Sequence, residues 1–332
     1  MDTPEINPEQ LLEISGDYWK ACALHAGVKL DIFTTIGEKR RTDVEIAQKL
    51  NLDKRAVTTF LNALTAMSLL KKTGDIYSNT RSSKSFLSKD SQDYIGYFIM
   101  HHHHLVESWS QLDQAVKTGK PIRASASQKD KGQRKNFNMG MFNLARGLAP
   151  RLSNQINISN RQHLIDLGGS PGTYAVYFCL KNHRLKATVY DLPSTQPYAK
   201  KIIEKFGLSD RIDFIGGNYL EDGIQGTYDV ALLSNILHTE GHENCQMIIN
   251  KTVAVLEPGG LVVVHDFILD NTMDGPLFPA LFSLNMLLGT NAGQSYSEEQ
   301  IMGMLESAGL KKIERHPFQG PFSSSIITGI VG

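Results

Sequence analysis

The residues best suited to chemistry lie in one short stretch, 164–172, which reads Leu-Ile-Asp-Leu-Gly-Gly-Ser-Pro-Gly. Apolar residues lead into an acid, a glycine turn follows, and a helix-like run begins near Tyr174. A buried strand that ends in a glycine turn and feeds a helix lets a nucleotide approach the backbone closely. A second apolar run, 187–191, ends in Asp191, where a carboxylate is placed to hydrogen-bond a ribose. The spacing therefore predicts a site for a nucleotide-type cofactor.

Histidines supply the second candidate chemistry. His238 follows the apolar run 229–234, at the sheet edge where open α/β folds bind ligands. A single histidine at a strand end is more often structural than catalytic, and His242 in the same segment is predicted to face solvent. Imidazole is a common metal ligand, but the adjacent histidines His101 to His104 point about 100° apart on a helix and cannot converge on one ion. We interpret that run as a solvated or pocket-edge patch and predict no metal site.

The elements that must position these residues alternate in type from residue 156 onward. Strands are predicted at 164–167, 187–191, 212–215, 229–234 and 261–265, and helices at 173–182, 196–206, 242–255 and 298–308. Such alternation implies right-handed crossovers and a mostly parallel, doubly wound sheet. A last pair of strands, 311–316 and 325–330, predicts a closing antiparallel hairpin. The region 156–332 is therefore predicted to be a Rossmann-like α/β domain.

Residues 1–100 are predicted to form a mostly helical domain with a small hairpin. The pattern indicates helices over 9–36 and 54–70 and a hairpin over 71–78. Thr42 followed by Glu45 is a capping-box signal, which predicts that a further helix begins at Thr42, between the two helices named above. Helix, turn, helix and hairpin in this order are typical of a winged helix. A helical linker, 101–155, with an exposed basic stretch at 122–135, is predicted to lead to the second domain.

Charge argues against nucleic acid as the partner of this winged-helix-like domain. DNA binding is the most specific function that such a domain suggests, but the helix over 54–70 carries few basic residues. Lys+Arg and Asp+Glu are both 34, so no global field attracts an anionic partner. We favour an interaction or dimerisation module and keep a DNA-binding regulator as the alternative from another class.

Composition is ordinary for a soluble globular protein. The chain has 332 residues, of which 41% are hydrophobic and 20% charged, enough for two domains with separate cores. Three cysteines without metal spacing fit a reducing cytosol better than secretion. No apolar run reaches membrane-spanning length, and the N-terminus carries no signal-peptide core. We expect a cytoplasmic protein that does not associate with membranes.

These motifs resemble the S-adenosylmethionine-dependent O-methyltransferases of the plant caffeate and animal acetylserotonin type and their bacterial small-molecule relatives. The likeness covers nearly the whole chain, in order: the winged-helix-like dimerisation domain, the helix with Phe137-Asn-Met-Gly-Met141, the glycine turn and the C-terminal hairpin. It implies S-adenosyl-L-methionine as cofactor, a homodimer, and methyl transfer to a hydroxyl of a small aromatic molecule.

The resemblance also implies the cofactor-binding residues. The family's Asp-x-Gly-Gly-Gly-x-Gly cradle is matched by 166–172, with Ser170 for the third glycine, which fits if φ is negative there. Where the family has an aspartate at the adenine amino group, this chain has an asparagine whose side-chain oxygen can still accept. The implied contacts are Gly168, Gly169 and Gly172 in the cradle, Asp191 at the ribose, Asn218 and Tyr219 at the adenine, and Ser234 at the methionine part or adenine end.

The family's catalytic block, His-Asp-Trp-Ser-Asp-Glu-x-Cys, is matched by 238–245, His-Thr-Glu-Gly-His-Glu-Asn-Cys. The first His, the second Glu and the Cys keep their spacing, while Asp-Trp is lost. The resemblance implies His238 as general base. Of the two glutamates that flank the base in the family, the first matches Asp266, one carbon shorter, and the second matches Ser295, which has no carboxylate. His265 is predicted on the opposite strand face, because neighbours alternate.

Proton transfer limits which acceptors such a base can serve. A phenol of pKa about 10 and an ordinary imidazole of about 6.5 differ by roughly 3.5 units, near 5 kcal/mol. A carboxylate at Asp266 that holds the imidazole N–H would reduce this gap and select the tautomer. Ser295 supplies no second carboxylate. The pattern therefore favours an acceptor hydroxyl that is more acidic than a simple phenol.

The acceptor pocket implied by the resemblance is apolar, with Phe137, Met141, Phe282 and Met286 as its lining. Phe278, Phe282 and Met286 recur every four residues, a stripe that is more often core than pocket. A carbon or nitrogen methyltransferase of the same fold and a winged-helix DNA regulator that senses the cofactor remain alternatives. The glycine spacing and the closing hairpin disfavour an NAD-dependent dehydrogenase.

Overall fold

A computed structural model describes residues 5–123, 131–316, 318 and 320–332. Part of the predicted basic linker, 124–130, lies outside the described residues. The chain divides into two compact units, one formed by Met1–Leu105 and Lys135–Asn143, the other by Val106–Arg134 and Leu144–Gly332. The predicted domain limits at 100 and 155 stay a prediction.

The first unit is built from helices and a three-stranded antiparallel sheet of order β1-β3-β2. Its elements are α1 (Pro8–Gly16), α2 (Tyr18–Lys29), α3 (Ile32–Ile36), β1 (Arg41–Thr42), α4 (Asp43–Leu50), α5 (Lys54–Ala66), β2 (Leu70–Thr73), β3 (Ile76–Asn79), α6 (Arg81–Phe86) and the first part of α7 (Gly96–Trp109). Buried apolar residues of these helices and of β3, among them Phe33, Leu61 and Tyr77, form one core.

Local sequence patterns predicted the start of one helix correctly and the extent of another wrongly. The capping box is present: the Thr42 side chain accepts from the backbone N–H of Glu45, whose carboxylate accepts from the Thr42 N–H. The single helix predicted over 9–36 is wrong, because the chain forms α1, α2 and α3 instead. Gly16 is a poor helix former at the first break. At the second, Asp31 adopts a φ of 61°, which no α-helix accommodates.

The second unit is an α/β domain. Its elements are the end of α7, α8 (Leu112–Thr118), α9 (Lys131–Gln155, except for Lys135–Asn143, which belong to the first unit), β4 (His163–Leu167), α10 (Thr173–Lys181), β5 (Lys186–Asp191), α11 (Gln196–Lys205), β6 (Ile212–Gly216), β7 (Tyr228–Ser234), α12 (His242–Ala254), β8 (Leu256–Phe267), α13 (Leu277–Gly289), α14 (Glu298–Ser307), β9 (Leu310–His316) and β10 (Ser324–Val331).

The sheet has the order β6-β5-β4-β7-β8-β10-β9. Strands β4 to β8 pair in parallel, whereas β10 is antiparallel to both β8 and β9. The predicted doubly wound sheet with a closing antiparallel hairpin is confirmed. The chain order reverses between β4 and β7, and ligands of open α/β sheets bind at the carboxyl ends of the strands beside such a switch point.

Burial follows this arrangement. The central strands are buried along nearly their whole length, as expected for parallel strands covered by helices on both faces. No helix in the described parts of the chain is long and apolar enough to cross a membrane.

Candidate active site

The glycine turn leaves β4 at its carboxyl end. Gly168 and Gly172 have φ values of 65° and 83°, a region that residues with a side chain rarely adopt. Ser170 has no positive φ, which meets the condition for serine in the cradle. A Cβ atom on Gly169 would lie 2.3 Å from Cγ of Asp166. The turn therefore runs directly over the Asp166 carboxylate, with no side chain in between.

Asp166 is a buried acid with an unused acceptor. Its Oδ2 accepts from the backbone N–H of Ala175 at 3.3 Å, and its Oδ1 has no hydrogen-bond partner. Burial raises the pKa of Asp166 to about 7. Leaving a buried polar atom unpaired costs free energy, so such atoms concentrate at ligand sites. The acceptor fits a ligand that brings a hydrogen-bond donor to the turn.

Asp191 ends β5 beside this turn. Its Oδ2 accepts from the N–H of Ser170 at 3.0 Å, and its Oδ1 accepts from the N–H of Leu192 at 2.6 Å. Burial raises the pKa of Asp191 above its ordinary value, although hydrogen bonds from the backbone of Ser170 and Leu192 and from the side chain of Thr195 act the other way. A carboxylate has about four lone-pair positions. Lone-pair positions that its protein partners leave open can accept from a ribose hydroxyl, so the geometry fits the predicted role.

The loop after β6 carries the predicted adenine residues. The Oδ1 of Asn218 accepts from the N–H of Leu220 at 3.1 Å, and the N–H of Asn218 donates to Oδ2 of Asp222 at 2.8 Å. From α12, Nζ of Lys251 donates to the carbonyl oxygens of Tyr219, Leu220 and Asp222 at 2.9, 3.0 and 2.9 Å. An amide oxygen can accept twice, so Asn218 keeps one lone pair for an adenine amino group.

Tyr219 lies between the glycine turn and the segment with His238. A Cβ atom on Gly168 would lie 3.8 Å from Cε1 of Tyr219, so the ring edge borders the turn. The Tyr219 hydroxyl lies 3.4 Å from Oγ1 of Thr239. Burial raises the pKa of Tyr219 to about 12, which keeps the phenol neutral. The predicted adenine residue thus also contacts the residue next to the predicted base.

Ser234 has a protein partner. It is 8% exposed, and its Oγ lies 2.9 Å from Nδ1 of His265. The His265 ring is fully buried near the ring of Tyr174, with centroids 5.8 Å apart, and burial lowers the pKa of His265 to about 4. His265 and its neighbour Asp266 have different partners, as the strand alternation predicts. The contact between Ser234 and the cofactor stays a prediction.

His238 and Asp266 form a buried pair. His238 lies in a 3-10 turn, Leu237–Thr239, shortly after β7, and Asp266 lies near the end of the adjacent β8. Their Nδ1 and Oδ1 atoms are 2.6 Å apart, and the two residues are 6% and 3% exposed. Burial opposes ionisation of Asp266, but His238 outweighs it, and the pKa of Asp266 lies below its ordinary value. Since a carboxylate only accepts, Nδ1 of His238 carries a proton, and in the neutral ring Nε2 is the nitrogen with the lone pair.

Aromatic rings border the predicted base. Phe282 on α13 meets His238 edge-on with centroids 4.8 Å apart, and Phe267 stacks on it at 5.9 Å and 19°. Phe278 contacts both phenylalanines, at 5.8 and 5.0 Å. Met286, one turn beyond Phe282, is buried. Apolar side chains around a polar pair exclude water and strengthen its electrostatics.

Tyr296 and Cys245 hold the turn Leu237–Thr239 that carries His238. The hydroxyl of Tyr296 donates to the carbonyl oxygen of Glu240 at 2.6 Å. Sγ of Cys245 lies 3.1 Å from the carbonyl oxygen of Leu237 and 3.6 Å from the Tyr296 hydroxyl. The block match singled out Cys245 without a role. Nothing in the sequence links Tyr296, more than fifty positions away, to this turn.

Ser295 takes no part in the pair. Its Oγ donates to the carbonyl oxygen of Pro279 at 2.9 Å, and its N–H donates to Oγ of Ser283 at 3.0 Å. The position matched to the family's second glutamate therefore joins the chain to α13, and Asp266 is the one carboxylate with a hydrogen bond to His238 in the described chain. His242 is exposed, as predicted.

Phe137 and Met141 lie on the part of α9 that belongs to the first unit. The Phe137 ring faces His101, with centroids 5.3 Å apart. His103 of the same run lies 3.1 Å from Nζ of Lys29 and beside the ring of His25, at 5.7 Å. The predicted place of Phe137 and Met141 in the lining of the acceptor pocket stays a prediction. Across the described ranges, no three His, Cys, Asp or Glu side chains are grouped to hold a metal ion.

Comparison with known families matches both parts of the chain. The family model of the O-methyltransferase domain matches residues 109–311, more than half of the chain. A second model, the O-methyltransferase dimerisation domain, matches residues 12–89. The second match covers the region that we predicted to be a dimerisation module.

Individual relatives span the whole chain. The 3-hydroxy-5-methyl-1-naphthoate 3-O-methyltransferase of Streptomyces sahachiroi is 27% identical, with 97% of this chain and 95% of the relative covered. The N,N-dimethyltransferase OxyT of Streptomyces rimosus is 26% identical, with 93% and 92% covered. The solved structure of an O-methyltransferase family protein from Burkholderia thailandensis superposes with a TM-score of 0.90 at 25% identity, and covers 99% of both chains.

Proposed function

Because this chain belongs to the O-methyltransferase family, whose members depend on S-adenosylmethionine, we propose that it methylates a hydroxyl of a small aromatic molecule with His238 as general base. The observation that carries the proposal is the buried hydrogen bond of 2.6 Å between His238 and Asp266. A hydroxyl must lose its proton to become a good nucleophile, and this pair provides a site for that proton.

The residues around the glycine turn fit the cofactor. Gly168 and Gly169 leave the backbone bare, Asp166 offers an unpaired acceptor, and Asp191 holds its carboxylate at the rim of the turn. Asn218 and Tyr219 would border the adenine. Bound S-adenosylmethionine supplies an electrophilic methyl group. The protein's part is to orient the two reactants and to exclude water.

Proton transfer is the step assigned to the pair. Asp266 accepts from Nδ1–H of His238, which selects the tautomer with the lone pair on Nε2. Nε2 accepts the acceptor's hydroxyl proton, and the carboxylate stabilises the imidazolium that results. Tyr296 and Cys245 hold the carbonyl oxygens on either side of the turn, so the ring keeps its direction.

An aromatic acceptor is supported by the rings beside the base. Phe267, Phe278 and Phe282 pack within 6 Å of one another, and aromatic rings favour edge-on or offset contacts with an aromatic guest. The Streptomyces sahachiroi relative acts on a hydroxynaphthoate. Phe137 and Met141 are proposed as further lining, on the strength of the resemblance.

The proposed assembly is a homodimer formed through the dimerisation domain. Large apolar residues on α1 and α2 are exposed in the single chain, among them Leu12, Tyr18 and Trp19 at 73%, 63% and 68%. Exposed apolar clusters of this kind mark interaction surfaces. The match to a dimerisation domain supports this partner over DNA.

Nitrogen methylation is the second candidate, since OxyT is an N,N-dimethyltransferase. A neutral amine already has a free lone pair and loses its proton after attack, so it needs no base at 238. The buried His–Asp pair favours oxygen for that reason.

His238→Ala tests the proposal. We expect kcat for a naphthol to fall by about 10² to 10⁴, while the affinity for S-adenosylhomocysteine stays near that of the wild type. Mass spectrometry and NMR of products from phenol and amine acceptors identify the methylated atom. Full activity of the variant, or methylation of amines alone, would refute the base role.

A further inference from the structure

Arg123 is a half-buried cation next to α13. Its Nη1 donates to Oδ1 of Asn285 at 2.6 Å, and its Nη2 donates to the backbone carbonyl of Asn285 at 2.5 Å. Burial lowers the pKa of Arg123 to about 10, which still leaves it protonated at neutral pH, and no carboxylate in the described parts of the chain offsets this effect. Among the described residues, its hydrogen-bond partners are the neutral amide groups of Asn285.

The guanidinium of Arg123 packs against Gly289 at the end of α13. A Cβ atom on Gly289 would lie 2.1 Å from Nη2 and 2.8 Å from Cζ of Arg123. The guanidinium therefore lies directly against the Cα atom of Gly289, where any side chain would displace it. The N–H groups of Ile122 and Arg123 donate to the carbonyl oxygen of Leu288 at 3.0 and 2.9 Å, which anchors the loop to the same helix end.

This helix end lies beside the base. The Phe282 ring contacts the ring of His238. Beyond the helix, a Cβ atom on Gly293 would lie 2.5 Å from the His238 carbonyl oxygen. Asn285 and Gly289 lie between these two contacts along the chain. Asn285 is three residues from Phe282, about 4.5 Å along the axis. The cation therefore contacts α13 about one to two helical turns along from the ring that touches His238.

A half-buried charge whose partners among the described residues are all neutral is costly unless a counter-ion arrives. A guanidinium has five N–H donors in a planar fork that matches a carboxylate, and Asn285 occupies two of them. We propose that Arg123, oriented by Asn285, forms an anion subsite, and that the methyl acceptor is an aromatic hydroxy acid whose carboxylate binds there. The inference rests on the proposed function and names the class of its acceptor.

Charge selectivity follows from this subsite. The ring lies among the phenylalanines, the hydroxyl at His238 and the carboxylate at Arg123, so the acceptor is fixed at both ends. Without the carboxylate, the cation stays unpaired on binding. Truncating one partner of a buried charge pair commonly weakens binding by on the order of 100-fold.

A matched pair of ligands tests the subsite. 3-Hydroxy-1-naphthoate and 2-naphthol share the ring and the hydroxyl position and differ only in the carboxylate. Calorimetry with S-adenosylhomocysteine present gives both dissociation constants for the full-length wild type, Arg123→Gln and Asn285→Asp. We expect about 100-fold tighter binding of the acid by the wild type. This ratio should fall towards one in Arg123→Gln.

Asn285→Asp guards against misfolding. It keeps the side-chain shape and gives Arg123 a carboxylate inside the protein, so the variant should fold and still lose its preference for the acid. Arg184→Gln is the matched control, because Arg184 is exposed at the opposite edge of the sheet, before β5. The control should keep the wild-type ratio.

Three results would overturn the subsite. The first is equal binding of the two ligands by the wild type, and the second is an unchanged ratio of dissociation constants in Arg123→Gln. The third is an equal loss of affinity for both ligands in Arg123→Gln together with a lower Tm, which would mean that Arg123 only stabilises the end of the helix. Failure of the proposed function looks different. It appears as absent methyl transfer to 2-naphthol and to the acid alike, whereas the ratio of dissociation constants needs no turnover.

Discussion

Removing the charge behind the base gives the sharpest test of the proton-transfer geometry. Asp266→Asn keeps the shape of the side chain and its place next to His238. The amide oxygen can still accept from Nδ1–H, as the carboxylate does at 2.6 Å. The negative charge that stabilises the imidazolium is lost. The variant should bind both substrates and transfer the proton poorly.

The size of the effect follows from the environment of the pair. The side chains are 8% and 4% exposed, so solvent screens the interaction little. Charges about 4 Å apart at an effective dielectric of about 20 interact by about 4 kcal/mol. Hydrogen bonds to charged groups contribute about 1.5–3 kcal/mol. At 1.36 kcal/mol per tenfold change, kcat should fall by roughly 10- to 1000-fold, with little change in KM for S-adenosylmethionine.

The assay follows kcat across phenols of graded acidity. Since the carboxylate helps the base accept a proton, the loss in Asp266→Asn should shrink as the acceptor becomes more acidic. Asp213→Asn, which makes the same substitution at an exposed position on β6, is the control. A loss below threefold, or one equally large for acceptors of every acidity, would show that the pair does not move the proton. Faster turnover of less acidic phenols by the wild type would contradict the expected preference for acidic hydroxyls.

Three further substitutions test the cofactor site. In Gly169→Ala the new Cβ would overlap the Asp166 carboxylate, so calorimetry should detect at least 10-fold weaker S-adenosylhomocysteine binding, and thermal unfolding a loss of about 1–3 kcal/mol; Gly223→Ala, which has open space, should match the wild type. Lys251→Met removes the hydrogen bonds to three carbonyl oxygens of the loop after β6, so KM for S-adenosylmethionine should rise while kcat stays nearly constant. Lys251→Arg should recover part of the lost affinity. An unchanged KM in Lys251→Met would refute the role of Lys251 in holding this loop. The pKa of Asp166 is raised to about 7, so the stability due to its protonated form is complete below about pH 4 and is lost as pH rises through 7. The free energy of unfolding of Asp166→Asn, relative to that of the cofactor-free wild type, should therefore increase between pH 4 and pH 8, by up to about 4 kcal/mol. A difference in Tm that does not change with pH would contradict the raised pKa of Asp166.

Sequence alone determined the architecture where the information is local or periodic. The alternation of apolar runs and helices after residue 156 predicted every strand of the large sheet and its closing hairpin, because buried parallel strands are nearly continuous apolar segments. The glycine turn after Asp166 was predicted from its glycines, since few other residues adopt such conformations. The helix over 9–36 was wrong because apolar spacing does not register a break at a residue such as Asp31.

Only the tertiary structure decided which side chains meet. His238 and Asp266 are 28 positions apart, and their hydrogen bond exists because β7 and β8 are neighbours in the sheet. The contact of Tyr296 with the base turn and of Arg123 with Gly289 likewise join segments that no sequence pattern connects. Side-chain chemistry is written residue by residue along the chain. The distances that turn it into a site are set by the packing of elements that are remote in sequence.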